Sequence, residues 1–113
     1  MAADLLQGTL ELLVLKALSL EPMHGWGLGH RIGQMSRDVL NVPQGSLYPA
    51  LVRMLRKGWI RSEWRQTDHN RRARYYLLTA AGRRQLDAEL ASWERASGAV
   101  NAILAVRPKG EAL

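Results

Sequence analysis

Ten of the sixteen lysines and arginines in this 113-residue chain fall between Arg53 and Arg84. They are Arg53, Arg56, Lys57, Arg61, Arg65, Arg71, Arg72, Arg74, Arg83 and Arg84, and only two acids, Glu63 and Asp68, lie among them. That stretch carries +8, while the chain as a whole carries +6, so the remainder is slightly acidic. A localised field of this sign suits a polyanion, because each phosphate that a cation neutralises releases condensed counterions. Its bland counterpart is a solvated basic face with no partner. Other chemistry finds little support. The three histidines, His24, His30 and His69, have no metal-ligand spacing and no paired carboxylate beside them, and there is no cysteine to act as nucleophile or metal ligand. Gly27-Leu28-Gly29 is followed by Ile32 where a dinucleotide fingerprint needs its third glycine. No enzyme, cofactor or metal is expected.

The rest of the composition bounds the class. With 47% apolar and 23% charged residues the chain reads as an ordinary globular protein, long enough for one domain and a modest core. Apolar runs such as Leu12–Leu15 are far short of the roughly 20 residues that span a bilayer, and the N-terminus lacks the basic flank of a secretory signal. A soluble cytoplasmic protein with no membrane partner is expected, associated with the nucleoid if its polyanion is DNA.

The elements that must position the cations follow from periodicity. Leu10, Leu13, Val14, Ala17 and Leu18 share one helical face, with Gly8-Thr9 as a candidate N-cap and Glu21-Pro22 as the stop. Gly25 to Ser36 carries Leu28, Ile32 and Met35 at helical spacing. Gly25, Gly29 and Gly33 on another face imply close approach of a neighbour. A third helix has Ser46 as its expected cap, Pro49 in its first turn, Leu47, Leu51, Met54 and Leu55 inward, and Gly58 as its stop. The period then changes. Trp59–Trp64 and Arg74–Leu78 read as strands of a hairpin whose tip, Arg65–Ala73, is polar and basic, with Trp59 and Trp64 packing it against the helices. A last helix opens at Thr79-Ala80-Ala81-Gly82. Along it Leu86, Leu90, Trp93, Ser97, Val100 and Leu104 recur at alternating steps of four and three, a coiled-coil seam suited to a homodimer.

Three helices followed by a two-stranded basic wing describe a winged helix-turn-helix, mainly α with a small β-hairpin. Residues 5–79 form that DNA-binding unit, 80–106 the dimerisation helix and 107–113 a frayed tail. The third helix of such a unit enters a major groove while the wing contacts phosphates or the minor groove. Gln44 and Ser46 lie at that helix's N-terminus, where free N–H groups suit phosphate, although Ser46 serves equally well as a cap. Arg53 faces outward on it. His69, Asn70, Arg71 and Arg72 give the wing tip its donors, and Arg74 either joins them or pairs with Glu63 across the strands. Trp93 is a seam residue or, beside the gap left by Ser97, part of a slot for a planar ligand. His24 reads as structural. A winged-helix module that binds RNA or a protein partner without operator specificity is the alternative to a duplex reader.

Several segments, in order, resemble the PadR family of bacterial transcriptional regulators. They are Gly8-Thr9-Leu10-Glu11-Leu12-Leu13-Val14-Leu15, Met23-His24-Gly25-Trp26-Gly27, Gln44-Gly45-Ser46-Leu47-Tyr48-Pro49-Ala50-Leu51, Gly58-Trp59-Ile60, Arg72-Ala73-Arg74-Tyr75-Tyr76-Leu77-Leu78-Thr79 and Gly82. The serine-leucine-tyrosine-proline-alanine-leucine block is the specific one. Trp26 departs from the tyrosine more usual after the histidine-glycine pair. The resemblance implies a dimeric, usually repressing protein that binds an inverted repeat in double-stranded DNA, with Tyr48 facing the duplex. The single C-terminal helix is similar to that of the short branch, in which the last helix makes the dimer and some members bind small aromatic effectors between protomers. Half-sites about 10 bp apart are then expected.

Overall fold

A computed structural model describes the backbone of residues 2–110 and the side chains of residues 9–110. Four helices and three short strands follow one another as α1 (Ala2–Leu20), β1 (Met23–His24), α2 (Gly25–Met35), α3 (Gln44–Arg56), β2 (Ile60–Gln66), β3 (Arg72–Leu78) and α4 (Ala80–Leu104). The strands form one antiparallel sheet in the order β1-β3-β2, with Trp64 opposite Arg74, Ser62 opposite Tyr76, and His24 opposite Tyr75. The fold is the expected α+β winged helix, with one strand, β1, added to the wing's base.

The core is built from the faces that the helical period marks. Leu10, Val14, Ala17 and Leu18 of α1 pack with Leu28 and Ile32 of α2 and with Leu47, Leu51 and Met54 of α3. Ile60, Tyr76 and Leu86 close it from the sheet and from α4. Met35, expected inward, is half-exposed at the end of α2. Gly25 and Gly29 do meet a neighbour: a Cβ on Gly25 would stand 2.8 Å from the Tyr48 hydroxyl, and one on Gly29 3.3 Å from the Gln44 amide nitrogen. Gly33 has more room, with its closest neighbour at 3.8 Å.

Helix ends explain several departures. α1 starts at Ala2 and runs through Gly8-Thr9, so the helix does not begin there. α3 begins two residues before Ser46, after Pro43, whose ψ of 143° makes it an extended N-cap and which offers no side-chain cap. Ser46 is therefore the third helical residue and not the cap, and Pro49 the sixth, in the second turn, where its missing N–H forgoes a bond to the Gly45 carbonyl. Gly58 ends α3 as expected: at φ 75° it lets its own N–H reach the Leu55 carbonyl at 3.1 Å and the Trp59 N–H reach that of Met54 at 3.1 Å, a Schellman closure. The strands are longer than expected, since Arg65, Gln66, Arg72 and Ala73 pair in register and leave Thr67–Arg71 as the turn.

Thr79 ties α4 to this end of α3. Its hydroxyl accepts from the Gly82 N–H at 3.0 Å as the α4 N-cap and donates to the Gly58 carbonyl at 2.6 Å. Thr79→Ala removes both bonds and is expected to cost about 1–2 kcal/mol. Thermal denaturation should show the melting point falling by roughly 5–10 °C, with serine restoring most of it. An unchanged melting point would deny the hydroxyl this part.

Candidate nucleic-acid interface

The exposed surface of α3 is made of Gln44, Gly45, Ser46, Tyr48, Pro49, Val52, Arg53 and Arg56, while Leu47, Ala50, Leu51 and Met54 are buried. Apolar positions thus fix which side chains the helix offers outward. Ser46, released from capping, makes no side-chain bond to the described residues. Tyr48 leans on α2 at Gly25, half its surface still exposed, and lies close enough to Tyr76 to help burial hold that phenol above its ordinary pKa. The N-terminal end of the helix is therefore a polar, solvent-facing edge braced by packing against α2.

Ion pairs sort the cations into two groups. Glu11 of α1 holds Arg53 at 3.3 Å and Lys57 at 3.9 Å. Glu63 bonds Arg65 and Arg61 along β2, and these two guanidiniums keep its carboxyl below the usual carboxylate range. Among the described residues no acid pairs with Arg71, Arg72 or Arg74. Asp68 is the one acid in the turn Thr67–Arg71, and it makes no ion pair with these arginines. Arg74 does not bridge to Glu63, one of the two roles open to it; its Nε donates to Ser62 Oγ at 2.8 Å and its guanidinium lies over Tyr76, on the opposite face of the hairpin from Glu63. Arg53, which faces outward on α3, is paired with Glu11 and half-exposed.

At the tip the turn is closed by the Thr67 N–H to the Arg71 carbonyl and the Asn70 N–H to the Thr67 carbonyl, at 2.6 and 3.0 Å. Asn70 adopts φ 63°, the left-handed region that asparagine tolerates, and its side-chain oxygen accepts from Gln66. It shapes the turn as well as belonging to it. His69, Arg71 and Arg72 are exposed and line an open cleft of about 760 Å3 between the tip and the start of α2. The other wall of that cleft includes His24, Trp26 and Tyr75. His24 caps α2, its Nδ1 accepting from the Gly27 N–H at 3.0 Å, which bears out its structural reading. Trp26 is exposed and stacks on His30, with ring centroids 5.3 Å apart and planes 9° from parallel. Nothing in the spacing of the sequence singled out Trp26, since an aromatic one residue into a helix can face either way. Trp59 packs against the core as expected, but Trp64 does not: it stands 62% exposed on the wing.

The proposed seam of α4 divides. Leu86 is only 8% exposed because it fills the chain's own core, so it is not a free interface residue. From Leu90 to Leu104 every residue except Ser97 is exposed, including Leu90, Trp93, Val100, Ile103 and Leu104. Among the described residues there is no cluster of metal-ligating side chains, and no helix is long and apolar enough to cross a membrane.

Comparison with known proteins agrees with this architecture. The chain is 29% identical to a PadR-like transcriptional regulator from Bacillus cereus, whose crystal structure superimposes with a TM-score of 0.81 over 92% of this chain and 99% of that one. It is also 29% identical to a PadR family transcriptional regulator from Eggerthella lenta, with a TM-score of 0.80 over 95% of this chain and 91% of that one. A curated relative, an uncharacterised 37.1 kDa protein in a transposon of Streptomyces fradiae, is 39% identical over 90 residues, which are 80% of this chain; the match spans 24% of the relative's length. The model of the transcriptional regulator PadR-like family matches residues 14–88, from the core face of α1 through the whole wing to the buried turn of α4. On that match and this fold, the chain belongs to the PadR-like family of transcriptional regulators.

Proposed function

We propose that the protein is a dimeric repressor that reads an inverted repeat in double-stranded DNA, with α3 in a major groove and the wing tip on the flanking backbone. The observation that carries the reading is the distribution of unpaired cations. Glu11 and Glu63 pair with the cations at the base of the basic segment, while Arg71, Arg72 and Arg74 on the wing make no ion pair with any described residue and α3 offers an exposed polar face of its own. Gln44, Ser46 and Tyr48 supply polar contacts from the helix, and His69 and Asn70 extend the wing's donor set. Arg53 contributes by exchanging Glu11 for a phosphate, a swap between charges of the same sign that its exposure permits.

Dimerisation supplies the second half-site. Leu90, Trp93, Val100 and Leu104 form a stripe on the part of α4 that the chain's own core leaves uncovered, and a second α4 is the natural cover for a seam of this period. Trp93 and the smaller Ser97 within it would accommodate a planar aromatic effector whose binding alters the spacing of the two reading heads. The site of action is the cytoplasm, on the nucleoid.

The double variant Arg71→Ala, Arg72→Ala tests the reading. It is expected to weaken binding to duplex DNA and to flatten the dependence of log affinity on log salt by about 1 for each phosphate the wing no longer neutralises. Fluorescence anisotropy with labelled duplexes at several salt concentrations measures both. An unchanged slope would remove the wing from the interface.

A further inference from the structure

The β2–β3 register places Ser62, Trp64 and Gln66 on the same face of the hairpin as Arg72, Arg74 and Tyr76, because side chains alternate along each strand. Near the base this face belongs to the core, through Ile60 and Tyr76; past Tyr76 the core ends and the face continues into solvent. Tyr48 of α3 rests against Gly25 directly after β1, and Met23 of β1 pairs with Tyr76, so α3 meets the sheet near the base of this face. Trp64 lies on this continuation with 62% of its surface exposed, and the Arg72 guanidinium rests over its ring at 5.6 Å. The neighbouring Arg74 is tethered to Ser62, whereas Arg72 makes no ion pair with any described residue and its only ring contact is with Trp64.

We propose that Trp64 and Arg72 act as one unit that enters the minor groove of the duplex and senses its width. The inference rests on the reading of the chain as a duplex-DNA binder and adds to it the residue pair and the feature read. A guanidinium on an indole face keeps its planar donor edge directed outward and is held extended without an acid to neutralise it. A narrow minor groove, as in A-tracts, concentrates negative potential that attracts such a cation. The indole provides what an isolated arginine lacks: an apolar flank that packs against the deoxyribose walls and displaces water from them. The sheet face sets the direction, because Trp64 and Arg72 project on the side shared with Tyr76, while Glu63, Arg65 and Tyr75 occupy the other. The unit therefore confers a preference for narrow-groove DNA next to the bases read by α3, with no hydrogen bond to a particular base required.

The test compares wild type, Trp64→Ala, Trp64→Phe and Arg72→Ala on two probes, a poly(dA)·poly(dT) and a poly(dG)·poly(dC) duplex, over a salt series. Wild type is expected to favour the dA·dT duplex, and Trp64→Ala to lose roughly tenfold on that probe and little on the other, with its salt slope unchanged because no charge is removed. Trp64→Phe should retain most of the preference, and Arg72→Ala should lose both the preference and about one unit of salt slope. Since Trp64 is exposed, circular dichroism should show the same fold in every variant. Wild-type affinity and preference in Trp64→Ala would overturn the inference and leave the duplex-binding reading standing. No binding of wild type to either duplex at low salt would overturn both.

Discussion

Exchanging Gly82 for alanine is expected to lower the melting point by at least about 10 °C, although alanine is the better helix former by about 1 kcal/mol. Gly82 is buried in the first turn of α4, where the helix passes over the strand entrance. A Cβ there would overlap the Trp59 carbonyl oxygen and stand 2.7 Å from Leu78 Cδ1. The first obstacle is backbone, already engaged by the Thr79 N–H at 3.1 Å, so no side-chain rotation relieves it. The helix would have to lift, breaking the Thr79 cap and withdrawing Leu86 from the core one turn later. Overpacking of this kind costs about 1–3 kcal/mol, and the broken cap and the exposure of Leu86 add to it. The two influences have opposite signs, which makes the outcome decisive. Thermal denaturation at one fixed protein concentration measures it, and a rise in melting point would mean that α4 does not cross Trp59 this closely.

The second large effect is expected from Leu90→Asp. Leu90 is 44% exposed within the single chain and contributes little to its core, so the folded protomer should survive with its helical circular dichroism intact. In a symmetric dimer across α4 the change acts twice. Each protomer loses an apolar side chain, worth about 2–5 kcal/mol when well buried, and gains an unpaired carboxylate. A rise in the dimer dissociation constant of at least about a thousandfold follows. Sedimentation at micromolar concentration should then show monomer. Affinity for a two-half-site duplex should fall by roughly a hundredfold or more, since the second half-site is no longer bound by a linked protomer. Affinity for a single half-site should change little. A dimer that persists in sedimentation would place the main interface elsewhere than on the last helix.

Much of the fold was legible because burial leaves a periodic trace. The inward faces of α1, α2 and α3 follow from apolar spacing, Gly58 from the left-handed stop it permits, and Thr79 from its place ahead of a small-residue turn. What could not be read lacks such a trace. β1 is two residues long, too short for alternation to show. Arg65, Gln66, Arg72 and Ala73 pair through their backbones while side chains that are mostly polar and exposed carry no apolar signal, so they resemble turn residues. Ser46 has the chemistry of a cap, but the helix already starts at Gln44, after Pro43 in an extended conformation.

The candidate site divides along the same line. The basic wing and the outward face of α3 are visible from charge and helical phase. The bond from Arg53 to Glu11 joins residues 42 apart in sequence, and no local pattern encodes it. Trp64 looks like a packing residue because aromatic residues in strands usually are. Only the register shows that its position lies beyond the edge of the core. Leu86 fits the heptad of α4 as well as Leu90 does, and only the packing of α1 against the start of α4 assigns it to the chain's own core.

Selection of bound duplexes from random-sequence DNA by the purified protein tests the central claim most directly. A dimeric reader built on this fold should enrich a two-fold symmetric motif whose half-sites are centred about 10 bp apart, one helical turn. Failure to enrich any duplex at low salt would contradict it.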